Sequence, residues 1–185
     1  MRSPETEAAI LNAAAEILDE FGYAGFTLDR VVERAGSSKP TIYRWWKNKA
    51  ELIRNVYERA GEATLVVPDT GDLATDLVGH LDSLWNWWSG SRSGDVLLSV
   101  ISEMRLHPAS VREFSDVFLP RRERAMRLIV QRAVARGEIL GGSKADAAVS
   151  LLTGASWMHL LTQRLDARAR LTEYVDLVVA GLKHS

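Results

Sequence analysis

The sequence predicts an all-α protein in which a small N-terminal helix-turn-helix domain precedes a larger helical bundle. Apolar residues recur at helical spacing along the chain, and no segment sustains the alternating pattern of a strand. Glycine, proline and capping residues interrupt these patterns where helix ends are expected. The chain has 185 residues, enough for one small and one larger domain. We place the boundary near residue 60, which gives domains of residues 1–60 and 61–185.

The first helix is predicted over residues 4–21, because Ser3 is a good N-cap and Pro4 suits the first turn. Gly22 and Gly25 interrupt the chain after it. One face of this helix is apolar and should cover the two helices that follow. The residues of that face are Ile10, Ala13, Ala14, Ile17, Leu18 and Phe21.

The next two helices follow a helix-turn-helix pattern. Thr27 can cap a helix over residues 27–35, and Gly36 permits the positive φ that ends a helix in a tight turn. Ser38 can cap a second helix in which Pro40 occupies the first turn, where a missing N–H costs little.

The second of these helices carries polar groups where most helices bury leucine. Ile42 and Trp46 lie four residues apart and can anchor it to the first helix. Lysine and arginine neutralise phosphates, hydroxyl groups bond to phosphate oxygens, and arginine can also bind guanine. A short polar helix held by a second helix is the shape that enters a DNA major groove. The residues left for the outer faces are Lys39, Thr41, Tyr43 and Arg44.

The third helix of this segment begins with a capping pattern. Asn48 and Glu51 have the spacing of a capping box. Lys49 lies in the first turn, where its ammonium and the free amides can bind a phosphate together.

Charge is segregated along the chain. Residues 27–54 hold seven basic and three acidic side chains, a net of +4, whereas the whole chain has a net charge of −1. A basic segment in a neutral chain favours a nucleic-acid surface, here double-stranded DNA. The alternative is an ordinary pair of solvated basic helices.

Residues 5–57 resemble the N-terminal DNA-binding domain of the TetR family of bacterial transcriptional regulators. The run SSKPTIYRWWKNKAELI is similar to the family pattern Ser-Lys-x-Thr-hydrophobic-Tyr-x-aromatic-aromatic-x-x-Lys-x-x-Leu. It departs from common family usage at Pro40, where glycine or a small residue is usual, and at Ala50, where an acidic residue is frequent. The matching positions are Ser38, Lys39, Thr41, Ile42, Tyr43, Trp45, Trp46, Lys49 and Leu52.

The resemblance implies roles for individual residues. It implies that Thr27, Tyr43 and Lys49 contact phosphates. The residues that it implies face the groove are Ser38, Lys39, Pro40, Thr41 and Arg44.

The second domain is predicted as a series of amphipathic helices after a break at residues 61–72, which contain Pro68 and Gly71. Pro120 should bend the third of them. The predicted helices span residues 72–89, 95–104, 108–136, 144–164 and 168–183.

The last two helices are too apolar to be covered from one side. Gly154 and Gly181 would allow another helix to approach closely. Two such helices from each subunit would form a four-helix bundle in a homodimer. The alternative is that these residues form the core of the domain itself. The resemblance favours the dimer, since members of the family dimerise through their last two helices, and a dimer suits a palindromic operator.

Bulky residues and a few polar groups predict a small-molecule pocket in the second domain. The alternative is that the same residues simply fill the core. The resemblance implies that an unidentified effector binds here and releases the protein from its operator. The polar candidates include His80, Glu103 and His159. The pocket candidates are Trp85, Trp88, Met104, His107, Phe114, Phe118, Trp157 and Met158.

Several classes of function are not expected. The absence of cysteine excludes disulfides and thiolate chemistry. The N-terminus lacks the apolar region of a signal peptide, and no apolar run approaches the ~18 residues of a membrane span. His80 and Asp82 lie on opposite sides of one helix, and no catalytic or metal-binding motif occurs. We therefore expect a cytoplasmic protein without enzyme activity, cofactor, metal or membrane association.

The interpretation that unites these observations is a sequence-specific transcriptional regulator, most simply a repressor released from DNA by a small molecule. An architectural or adaptor protein that binds DNA without a ligand response is the alternative. A second domain without a cavity would favour that alternative.

Overall fold

A computed structural model of the chain describes residues 3–104 and 108–183, with the backbone alone at residues 104 and 108–110. These residues form helices and contain no strand, which confirms the predicted all-α fold. A π-helical turn, Phe114–Phe118, lies between α7 and α8. The helices are α1 Pro4–Gly25, α2 Leu28–Ala35, α3 Lys39–Trp45, α4 Lys49–Thr64, α5 Leu73–Gly90, α6 Ser93–Met104, α7 Pro108–Glu113, α8 Leu119–Ala135, α9 Ser143–Leu161 and α10 Arg168–Lys183.

Contacts divide the chain into two compact units. The first unit comprises Met1–Ala63 and Ser91–Val111, and the second comprises Thr64–Gly90 and Arg112–Ser185. In the first unit α1 packs against α2 and α6, and α2 packs against α3. The compact units do not follow the predicted boundary near residue 60, because α6, which comes later in the sequence, packs in the first unit. That boundary therefore stays a prediction about functional domains. The buried core of the first unit includes Ile10, Ala14, Ile17, Val31, Ile42, Leu52 and Ile53.

The first helix is interrupted where the glycines predict an end. Gly22 has φ 66° and ψ −175°, a conformation that glycine adopts without a steric penalty. The chain continues to Gly25 before α2 begins. Phe21 was expected in the buried face, but it is partly exposed, with the Arg30 guanidinium 3.9 Å from its ring centre.

In the second unit, α5 packs against α8, α9 and α10, and α9 packs against both α8 and α10. A π-helical turn lies just before Pro120, where the sequence predicts a bend, and in it the Leu119 N–H donates to the Phe114 carbonyl. Pro120 cannot donate a hydrogen bond to the preceding turn, which favours a shift of the ladder there. The buried core includes Leu73, Leu77, Leu81, Trp85, Phe118, Ile129, Val149 and Val175.

The connecting segment, residues 65–72, follows α4, which extends a few residues beyond the break predicted at residue 61. Buried Asp76 accepts hydrogen bonds from the Thr70 amide at 2.8 Å and the Thr70 hydroxyl at 2.7 Å. Buried His80 forms a hydrogen bond with the Val66 carbonyl, whose oxygen lies 2.7 Å from its Nδ1. The segment is therefore fixed to α5 of the second unit by polar contacts.

Candidate nucleic-acid interface

The helix-turn-helix is built by local caps that match the predicted ones. The Thr27 hydroxyl accepts a hydrogen bond from the Arg30 amide at 3.4 Å at the start of α2. Gly36 ends α2 in the left-handed region, with φ 58° and ψ 33°. The Ser38 hydroxyl accepts from the Thr41 amide at 3.3 Å at the start of α3. Capping and the turn thus set where the polar helix begins.

Two buried side chains hold α3 in place. Ile42 and Trp46 are both buried, and the Trp46 indole donates a hydrogen bond to Asn55 Oδ1 of α4 at 2.8 Å. The remainder of α3 with its N-cap Ser38 is left for solvent or a partner. We call its exposed residues the recognition surface: Ser38, Lys39, Pro40, Tyr43 and Arg44.

The structure brings the predicted groove-facing residues together on one short helix and its cap. Thr41 is half-buried, and its hydroxyl lies 2.8 Å from the Ser38 hydroxyl. One of these two groups donates to the other, so the pair orders the first turn of α3. Thr27 is exposed at the start of α2. That these residues contact DNA stays a prediction.

Lys49 has an internal partner that the sequence did not indicate. Its ammonium donates to the Tyr23 carbonyl at 3.0 Å and lies 4.2 Å from the centre of the Tyr23 ring. Partial burial lowers the pKa of Lys49. The side chain therefore ties the first turn of α4 to the end of α1. An ammonium has three donors, so a phosphate contact would use those that Tyr23 leaves.

The predicted capping box at α4 forms in an altered way. Asn48 Oδ1 accepts a hydrogen bond from the Glu51 amide at 2.8 Å, as expected. The Glu51 carboxylate accepts from the Lys47 amide at 2.8 Å, one residue before the position that a capping box uses. The carboxylate thus stabilises the loop between α3 and α4.

Internal pairs absorb part of the basic charge of the segment. Arg34 pairs with Glu20 at 2.8 Å, and Lys39 pairs with Asp29 at 2.7 Å. The Asp29 hydrogen bond and charge raise the pKa of Lys39. Within the described chain, Arg44 lies exposed with no ion pair. The net charge of the segment therefore overstates the number of basic side chains that are available to bind phosphates.

The predicted pocket residues occupy different environments. Trp85 and Trp88 are buried in the core, whereas Met158 is exposed. Phe114 stacks on Phe118 at 4.8 Å and lies 5.5 Å from Trp157, between ring centres. Two further candidates are not placed: the side chain of Met104 and all of His107 lie outside what the structure describes.

The two histidines proposed as polar anchors are engaged inside the second unit. His159 contacts the Arg164 carbonyl through Nδ1 at 2.9 Å and the Tyr174 hydroxyl through Nε2 at 3.1 Å. His159 also lies against Trp85, with ring centres 4.7 Å apart. Burial lowers the pKa of His80, and the charge of Arg122 acts in the same direction. Both imidazoles therefore have structural partners.

A groove between α8 and α9 was missed by sequence reasoning. Its volume is about 270 Å³, and both apolar and polar side chains line it. Among the lining residues, Arg127 pairs with Asp146, and it also pairs with buried Glu123 at 2.7 Å. No sequence signal marks it, because its residues belong to two helices and the loop before α9. It is lined by Arg127, Val130, Gln131, Val134, Gly141, Gly142, Ala145, Asp146 and Val149.

An apolar face lies on the last two helices, α9 and α10. Leu151 is 66% exposed and Leu177 is 72% exposed. A Cβ atom added at Gly154 or at Gly181 would meet nothing within 4 Å. We define the apolar face by its exposed residues, which are Leu151, Gly154, Met158, Leu161, Leu177 and Gly181.

Two kinds of feature are absent from the part of the chain that the structure describes. Among the residues that the structure covers, no helix has the length and apolar character needed to cross a membrane. In the same residues, no group of three or more His, Cys, Asp or Glu side chains is placed to hold a metal ion.

Two family descriptions match the chain. The description "Bacterial regulatory proteins, tetR family" matches residues 10–56, which include α2 and α3. The description "Tetracyclin repressor-like, C-terminal domain" matches residues 67–178, from the connecting segment into α10.

Individual proteins are similar over much of the chain. The uncharacterized HTH-type transcriptional regulator YdeS of Bacillus subtilis (strain 168) is 34% identical over 161 residues, covering 86% of this chain and 80% of YdeS. The DNA-binding transcriptional repressor TetR of Mycobacteroides abscessus is 42% identical over 85 residues, covering 45% and 44% of the two chains. The solved structure of the TetR family transcription regulator SCO0332 superposes with a TM-score of 0.83 at 27% identity, covering 96% and 98%.

Proposed function

Because the chain belongs to the TetR family of bacterial transcriptional regulators, we propose that it is a repressor that binds a palindromic operator as a homodimer. In this proposal a small molecule bound in the second unit releases it from DNA. The observation that carries the proposal is the recognition surface, a polar face on a short helix held by buried Ile42 and Trp46.

The recognition surface has the chemistry of a major-groove contact. Arg44 is exposed and can bind guanine through two hydrogen bonds, and Tyr43 offers a hydroxyl to phosphate oxygens. Thr27, at the start of α2, and Lys49, at the start of α4, would bind phosphates on either side. Phosphate contacts position such a helix, and base contacts specify the sequence.

Homodimer formation is proposed through the apolar face of α9 and α10. An exposed apolar face on two neighbouring helices can pack against its own copy about a two-fold axis, and a homodimer requires such an interface. The leucines of this face supply apolar area, and Gly154 and Gly181 leave room for close helix packing. Two recognition helices related by that axis would then bind two half-sites.

The effector is proposed to bind in the second unit, for which two places have support. One is the aromatic group Phe114, Phe118 and Trp157, of which Phe114 and Trp157 are half-buried. The other is the groove between α8 and α9, whose mixture of apolar and polar lining residues suits a small organic molecule. The proposal includes a cytoplasmic location and assigns no catalysis to the chain.

In vitro selection from a random duplex library with the purified full-length protein tests the DNA half of the proposal. We expect one enriched sequence with two inverted half-sites whose centres lie about one helical turn (~34–36 Å), or a multiple of it, apart. Enrichment of no sequence would contradict a sequence-specific repressor and favour the architectural or adaptor alternative.

A compound screen tests the effector half, with release of the selected duplex followed by fluorescence anisotropy. A true effector should weaken operator binding and bind more weakly itself when the operator is present, because linkage is reciprocal. Trp157→Phe should change the response if the aromatic group is the site, and Val130→Trp should block it if the groove is. Failure of every compound to alter DNA affinity would favour the alternative without a ligand response.

A further inference from the structure

Lys39 forms an ion pair with the carboxylate of Asp29, whereas Arg44 has no ion pair within the described chain. Lys39 is the first residue of α3, and its Nζ lies 2.7 Å from Oδ1 of Asp29 in the first turn of α2. The Asp29 side chain is 74% exposed, so the pair lies at the surface. The first turn of α3 contains no acidic residue of its own. Asp29 therefore supplies, from the neighbouring helix, the negative charge that accompanies Lys39.

The pair affects random and specific DNA in different ways. Binding to random sequence rests almost entirely on phosphates, and a lysine on a flexible stem is a point charge that any phosphate can attract. Asp29 competes with phosphate for the Lys39 ammonium, and its carboxylate also repels phosphate. Base edges are fixed in position, so an ammonium held at one place can still donate to guanine O6 or N7.

From this geometry we infer that Asp29 is a positioning residue that sets sequence selectivity by holding Lys39 away from phosphates and directing it towards base edges. The inference rests on the proposed DNA-binding function and adds to it a residue with no direct DNA contact. Asp29 weakens binding to random DNA more than binding to the operator. It thereby increases the ratio of operator affinity to random-DNA affinity.

The test compares Asp29→Asn with the wild-type full-length protein on two duplexes, the operator obtained by in vitro selection and a scrambled version. Binding is measured by fluorescence anisotropy over a salt series. Each phosphate contact contributes a slope of about 0.9 in log K against log salt. D29N should bind scrambled DNA about tenfold more tightly per subunit at 0.1 M salt, with a slope steeper by about 1 per subunit. Operator affinity should change less than about twofold.

Glu33→Gln is the matched control. Glu33 lies one turn after Asp29 on α2 and is exposed, and its carboxylate has no ion pair among the residues that the structure describes. E33Q removes the same charge but leaves the Lys39–Asp29 pair intact. It should therefore leave the ratio of operator affinity to scrambled-DNA affinity unchanged. In a K39Q background, D29N should lose its effect on the ratio, because there is no ammonium left to hold.

Three results would overturn the inference. The first is an equal change of D29N affinity on both duplexes. The second is a fall in the ratio of operator affinity to scrambled-DNA affinity for E33Q that equals the fall for D29N. The third is weaker binding of D29N to both duplexes with a lower thermal midpoint, the result expected if the pair only stabilises the fold. Wild-type protein that binds both duplexes alike would instead overturn the proposed function, and the inference with it.

Discussion

The recognition surface of α3 and the apolar face of α9 and α10 are both exposed, but they have opposite chemistry. The first is polar and is set by helix caps, and part of its charge is held by internal partners such as Asp29. The second consists of leucine, methionine and glycine, with Leu151 66% exposed. Two exposed surfaces of one chain can thus serve different partners, one through directed polar groups and one through apolar area.

The largest predicted effect comes from placing a charge in the apolar face. Leu151→Asp should convert the dimer into monomers, because an aspartate buried in an apolar interface has no partner. Linked half-site binding typically gains 10²- to 10⁴-fold in affinity, and this gain should be lost on the operator. Size-exclusion chromatography with light scattering measures the mass, and anisotropy measures DNA affinity.

Leu140→Asp is the matched control for that change. Leu140 is also 66% exposed, but it lies in the loop before α9 and outside the apolar face. L140D should remain dimeric with unchanged operator affinity. Dimeric L151D protein would show that the face does not form the interface, and monomeric L140D protein would place the interface elsewhere.

The next prediction distinguishes the roles of two basic residues, Arg44 in the recognition surface and Lys47 just after α3. Arg44→Ala should weaken operator binding by about 1–3 kcal/mol and relax selectivity at one base pair, because the proposed base contact would be lost. Lys47→Ala, just after α3, should weaken operator and scrambled DNA alike and reduce the salt slope by about 1 per subunit. Equal losses on both duplexes for R44A would contradict a base-reading role.

A smaller effect concerns the connecting segment that leads from α4 to α5. His80 has a lowered pKa in the folded protein, mainly because it is buried, so the unfolded chain binds a proton more readily below about pH 6.5. The free energy of unfolding should therefore fall as pH drops below about 6.5, by at most about 1.4 kcal/mol per pH unit from this group. Urea unfolding at pH 7.5 and pH 5.5 measures it.

His80→Asn is the variant that isolates this contribution. The asparagine amide can still donate to the Val66 carbonyl, which lies 2.7 Å from Nδ1 in the wild type, but it does not titrate. H80N should show a weaker loss of stability on acidification. An identical pH dependence in H80N and wild type would assign the effect to other groups.

The smallest predicted effect is the loss of one helix cap. Asn48→Ala should lower the free energy of unfolding by about 1 kcal/mol, because the Glu51 amide loses the Asn48 oxygen at 2.8 Å. Asn12→Ala, at an exposed position within α1, should stay within about 0.5 kcal/mol of wild type. Thermal or urea unfolding distinguishes the two. A similar change in both variants would mean that the cap contributes little.

Sequence reasoning succeeded where the cause was local. The caps at Thr27 and Ser38, the turn at Gly36 and the break at Gly22 depend on neighbours within a few residues, and all appear in the structure. The spacing of Ile42 and Trp46 likewise predicted which side of α3 would be buried.

The remaining features depend on contacts between distant parts of the chain, which spacing does not reveal. The Tyr23 carbonyl holds Lys49 across 26 positions of sequence. Asp29 holds Lys39 across the turn, so a charge count predicted a more basic surface than the fold presents. The groove between α8 and α9 could not be predicted, because it exists only once two helices have packed.

The other proposals depend on one property of the recognition surface: it binds DNA through phosphates and selects a sequence through bases. Fluorescence anisotropy of the wild-type protein on selected and scrambled duplexes, from low to physiological salt, tests it most directly. We expect binding to both duplexes at low salt, a steep loss of affinity with added salt, and operator binding at least about 10³-fold tighter than scrambled binding at physiological salt. Absence of binding at low salt, where phosphate contacts are strongest, would contradict it.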